Sequence, residues 1–116
     1  METKKAMGRQ GWWFAEVDGE ALACAHKHWL KGRTYHDPFE RHKGKNNQAR
    51  IDEAVNAIKD TKKVVLTNDK ATLNANGIVT AFERTGYIAV FEVADISYSV
   101  DDGLRFRLAE RLCHLE

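Results

Sequence analysis

The chain has 116 residues, 43% of them apolar and 30% charged, and carries a net charge of +1. Those values fit one soluble globular domain, and no apolar run is long enough to span a bilayer. Two cysteines far apart, Cys24 and Cys113, form no metal spacing, so a reduced, cytoplasmic protein is the simplest expectation.

Residues 1–8 are expected to form a flexible arm ahead of a single domain spanning 9–114. The opening METKKAMGRQ is charged and lacks the apolar segment of a secretory signal. Leu115-Glu116 reads as a cloning remnant and stays outside the functional reading. Gly11 opens a predicted strand, Trp12–Val17. Asp18-Gly19 then gives a hairpin signal, because a type I′ turn needs positive φ at both central residues. A two-residue loop fixes the register, with Val17 opposite Glu20, Ala15 opposite Leu22, Trp13 opposite Cys24 and Gly11 opposite His26. Trp13, Cys24 and His26 therefore share one face, while Trp12 and Phe14 pack on the other over Ala23 and Ala25.

Gly32 to Lys45 is the longest irregular stretch and holds the only proline, Pro38. Between His26 and Arg50 lie seven Lys or Arg residues against Asp37 and Glu40, together with four of the five histidines. Asn46 or Asn47 offers a helix N-cap, and Ile51, Ala54, Val55 and Ile58 follow at the spacing of one amphipathic helix. Lys63–Thr67 reads as a short strand and Asn68–Gly77 as a loop. Two further strands, Ile78–Glu83 and Tyr87–Val100, are predicted to meet at a tight Thr85-Gly86 turn. The apolar parity flips between Val93 and Ile96, so a bulge is expected near Ala94-Asp95. Asp101-Asp102-Gly103 is another turn, leading to a last strand in which Leu104, Phe106 and Leu108 alternate with Arg105 and Arg107.

The run Gly86-Tyr87-Ile88-Ala89-Val90-Phe91-Glu92-Val93, followed by Ile96-Ser97-Tyr98, resembles the centre of PUA-like domains of the EVE and ASCH kind. The Gly-Asp pair usual before the first of those strands has only Asn68-Asp69 as its nearest counterpart here. The resemblance implies an α+β fold: a small, mostly antiparallel, partly closed β-barrel with one main amphipathic helix. It also implies a cleft beside the barrel for RNA or a modified base, with Arg84 and Tyr87 close to it.

The residues themselves offer three chemistries. Aromatic faces interleaved with cations suit base stacking and phosphate contact. Trp13, Trp29 and Tyr35 are the candidate aromatic pocket, with Arg33, Lys43, Lys45 and Arg84 as its rim and Asp37 or a histidine selecting the base. No cofactor is called for. The second chemistry is a metal-dependent or histidine-based hydrolase or nuclease on His26, His28, His36 and Asp37, whose spacing matches no named metal motif. The third is a protein-interaction module that uses the exposed aromatics. There is no Gly-x-Ser-x-Gly elbow and no Gly-rich phosphate loop, which leaves enzymatic activity a minority reading.

Overall fold

The computed structural model describes all residues, Met1–Glu116. In chain order the strands are β1 (Thr3–Lys4), β2 (Met7–Arg9), β3 (Phe14–Val17), β4 (Glu20–His26), β5 (Leu30–Lys31) and β6 (Thr34–Asp37). One helix, α1 (Gln48–Thr61), precedes β7 (Lys63–Leu73), β8 (Val79–Ser99) and β9 (Gly103–Leu115). The strands form one sheet in the order β2-β3-β4-β7-β8-β9-β6-β5, with β1 alongside β9. Pairing is antiparallel except for β4 with β7 and β1 with β9.

The ends of the sheet, β2 and β5, do not pair, so the sheet is open. It nevertheless curls. Three strands separate β4 from β6, yet the backbone N–H of His26 donates to Tyr35 Oη at 3.1 Å. Val64 and Leu66 face a core shared with Ile51, Ala54, Val55 and Ile58 of α1. Val65, between them, faces a second cluster with Ala15, Leu22, Val90 and Cys113. The first half of β7, through Thr67, is thus buried on both faces, as a central strand should be.

The β3–β4 hairpin has the predicted register, with Asp18 and Gly19 at φ 51° and 77°. The strand starts later than expected, however, at Phe14. Gln10, Gly11 and Trp12 all have positive φ, so the chain turns there, and Gly11 never pairs with His26. Trp12 consequently stays 57% exposed instead of packing beside Phe14. The first residues, expected as a free arm, pair as β1 and β2, and Leu115 at the other end is buried.

The largest correction concerns Thr85-Gly86. No turn forms there; β8 runs through as one extended strand in which Gly86 pairs with Asn68. Positive φ is absent at both residues, and Thr85 Oγ1 donates to the Asn68 carbonyl at 2.9 Å. The pairing shifts register beside Asn68, leaving Thr85 as an extra residue of a bulge. The real turn is Asn74–Gly77, where Asn74 Oδ1 accepts from the N–H groups of Asn76 and Ile78 and Gly77 takes φ 77°. Six of the ten residues of the predicted loop are therefore strand, and β7 and β8 project as a long two-stranded arm. The bulge predicted near Ala94-Asp95 is present, with Asp95 at φ 55° and a register shift before Ser97.

Candidate functional site

A cleft of about 260 Å³ opens where four pieces of chain meet. The Gln10–Trp13 turn supplies Trp12 and Trp13, and the end of β4 supplies Cys24 and His26. The connection from β6 to α1 supplies Asp37, Phe39, Arg41, His42 and Lys45. The projecting β7–β8 arm supplies Asp69, Thr80, Phe82 and Arg84. The Gln10–Trp13 turn is fastened from two sides. Arg50 of α1 donates to the Gln10 carbonyl at 3.2 Å, and Arg84 donates to the Trp12 carbonyl at 3.3 Å. Gly8 leaves room for the Trp12 ring to fold back, since a Cβ there would collide with it.

Two buried carboxylates anchor the cleft. Asp37, with a side chain 3% exposed, accepts both guanidinium nitrogens of Arg41 at 2.8 and 2.9 Å, and the Phe39 N–H at 2.9 Å. Asp69, 1% exposed, accepts from Arg84 Nε at 3.1 Å on one oxygen. Its other oxygen lies 2.7 Å from His26 Nδ1 and 2.5 Å from Thr67 Oγ1. Burial alone would raise the Asp69 pKa, but the hydrogen bonds from His26 and Thr67 and the Arg84 charge outweigh it and hold it at about 2. An ionised Asp69 accepts the proton on His26 Nδ1, and in the neutral ring this leaves Nε2 as the acceptor.

Aromatic rings form the walls. His26 stacks on Phe82 with centroids 4.1 Å apart and planes 17° apart. Across the lining, Trp13 packs on His42 at 5.0 Å. His42 Nδ1 accepts from Asn47 Nδ2 at 2.9 Å, so the N-cap asparagine of α1 spends its side chain on the cleft. Burial first, and then the Arg41 charge, push the His42 pKa down to about 4, so this ring is neutral at pH 7. Among the three lining cations, Arg41 and Arg84 are committed to carboxylates, and Lys45 has none. Cys24 lies 3.6 Å from an Arg84 nitrogen, and burial pushes its thiol up to about 11, the Arg84 charge only partly opposing this.

Of the sequence candidates, Trp13, Tyr35, Asp37, Lys45 and Arg84 line this cleft. Tyr35 is its floor rather than a free face: it is 2% exposed and stacked on Phe106 at 4.4 Å. Tyr87 sits beneath the Arg84 guanidinium, 5.5 Å from ring centroid to charge. Arg33 turns away and donates to the carbonyls of Leu108 and Ala109, and Lys43 is not in the lining. Trp29 lies behind Phe82 and Arg41, beside a second, polar groove with His28, Lys31, His36 and Arg105. The histidine group is therefore split. His26 belongs to the first cleft, His28 and His36 to the second groove, and no three metal-ligating side chains converge.

Asp69, Phe82, Arg41 and His42 are lining residues that sequence reasoning did not assemble. Asp69 had one pointer, its position in the Asn68-Asp69 pair of the resemblance. No family model matches the chain, and neither a curated protein nor a solved structure matches it.

Proposed function

We propose that the chain is a PUA-like binding module whose cleft takes one planar base of a single-stranded nucleic acid or of a nucleotide. The observation that carries this is the pairing of two aromatic walls, Trp13 with His42 and Phe82 with His26, beside the unpaired Lys45 ammonium. Aromatic faces accept any base, and an unpaired cation suits a phosphate. A volume of about 260 Å³ sits just below the range of roughly 300–1,000 Å³ usual for small-molecule pockets, which matches one base better than a dinucleotide. Trp12, Trp13, His26, Phe82 and Lys45 make the contacts, while Arg41, Arg84 and Asp37 hold the walls. The motif from Gly86 to Val93 supports the same reading.

Titration of tryptophan fluorescence with short single-stranded RNA and DNA, and with free nucleotides, tests it. Saturable quenching that weakens with salt is expected, and Trp13→Ala should lose about 1–3 kcal/mol, roughly 5- to 150-fold in affinity. A flat titration at low salt, or unchanged affinity in Trp13→Ala, overturns the reading.

A further inference from the structure

We propose that His26, oriented by Asp69, is a general base that cleaves a ribonucleotide strand bound in this cleft, using the strand's own 2′-hydroxyl as nucleophile. The inference rests on the binding reading above and adds a reaction to it.

The geometry has the three parts that such a base needs. First, the imidazole is oriented. Nδ1 is held at 2.7 Å by a carboxylate that is 1% exposed, and the ring is clamped flat on Phe82. Second, the carboxylate is itself fixed, by Thr67 and by Arg84, so it cannot swing away from the ring. Third, the working edge is free. Nε2 has no hydrogen-bond partner in the protein, it is not sealed from solvent, and His26 lines the cleft. A buried structural histidine would have both nitrogens satisfied.

The protein offers no nucleophile of its own beside this base. The Cys24 sulfur lies 3.6 Å from an Arg84 guanidinium nitrogen, and the residue is only partly exposed. The Thr67 hydroxyl donates to Asp69, and the Thr80 hydroxyl donates to the Thr72 carbonyl at 3.2 Å. The attacking oxygen must then arrive with the ligand. A ribose carried in behind a stacked base brings one, together with the adjacent phosphate that Lys45 can meet.

The step balances without any further reagent. His26 Nε2 takes the 2′-hydroxyl proton as the 2′-oxygen bonds to phosphorus. The bond from phosphorus to the 5′-oxygen breaks, and that oxygen leaves with a proton from water. The imidazolium returns its proton to water. The products are a 2′,3′-cyclic phosphate and a 5′-hydroxyl end. His26 is the catalytic residue; Asp69 is a positioning residue. In Asp69→Asn the amide oxygen is claimed by Arg84 Nε, so the NH2 group faces Nδ1 as a donor, which moves the ring proton to Nε2 and removes the acceptor.

The test uses the full chain, a labelled single-stranded oligoribonucleotide and its all-2′-deoxy counterpart, with a chelator present. Both strands should bind, and only the ribonucleotide should be cut, to cyclic phosphate ends. His26→Gln and Asp69→Asn should slow cutting at saturating ribonucleotide by about 10²–10⁴-fold, while each variant still binds the deoxy strand saturably, His26→Gln more weakly by its lost contact. Saturable binding also shows that the variants are folded, and a fall in kcat at saturation, rather than in affinity alone, separates positioning from a merely structural role. Ribonucleotide bound but not cut overturns the inference and leaves the binding reading standing. Cutting that survives in His26→Gln, or that extends to the deoxy strand, overturns it too. Binding of neither strand overturns both.

Discussion

Two features of its environment oppose a charge on His42: the cost of burying it, and the guanidinium of Arg41. Together they keep its folded pKa at about 4, against roughly 6.5 in an unfolded chain. Folding therefore favours the neutral ring. The stability it contributes is complete above pH ~6.5 and is lost as pH falls from there toward 4, by roughly 3 kcal/mol. Thermal unfolding between pH 8 and pH 4 should show this loss, and His42→Gln should flatten it; an equal slope in the variant would place the acid sensitivity elsewhere. Asp69 works in a lower window and with the opposite charge. Its folded pKa of about 2 lies below the unfolded value near 3.9, so its contribution is complete above pH ~4 and disappears as pH drops through 2. The two transitions are separable in one acid titration because their windows barely overlap. Both groups sit in the cleft, so the acid sensitivity of the fold reports on the site.

At the scale of elements, the β7–β8 arm and the start of β9 position the cleft. Gly103 begins β9 at φ 87°, and a Cβ on it would run into the Asp37 carbonyl oxygen and Pro38. Backbone strain and steric conflict then act on the residue that anchors Arg41. Gly103→Ala should cost more than about 1 kcal/mol in denaturant unfolding and should loosen the Asp37–Arg41 wall. A variant as stable as wild type would show that this close approach is not required. The elements also show what the sequence carried. Helix α1 buries Ile51, Ala54, Val55 and Ile58, the four residues its spacing singled out, because a 3.6-residue period is written locally. The Asp18-Gly19 turn was equally legible, since its φ requirement falls on two adjacent residues. The β7–β8 arm was not. Thr85-Gly86 resembles a turn in composition, but a bulge absorbs Thr85 without reversing the chain, and composition does not distinguish the two.

At the scale of the molecule, the cleft exists because the sheet curls without closing. The parallel pairing of β4 with β7 sets His26 opposite Thr67, and two residues further along the same face stands Asp69. That pairing joins segments separated by α1 and by the whole basic loop, so nothing local announces it. The β3–β4 register did place Trp13, Cys24 and His26 together, and the basic-aromatic stretch did contribute Asp37 and Lys45. The same stretch also sent Trp29, His28 and His36 to the second groove, because the short helical turn at Lys27–Trp29 changes the direction of the chain just after His26. Alternation along an uninterrupted strand would have kept His26 and His28 on one side. The central claim, that the first cleft is the ligand site, is tested most directly by following tryptophan indole and backbone amide NMR signals while a short single-stranded RNA is added at low salt. The account predicts shifts concentrated on Trp12, Trp13, His26, Phe82 and Arg84, with Trp29 nearly still. Shifts centred on Trp29, Lys31 and Arg105, or no localised shifts at all, would contradict it.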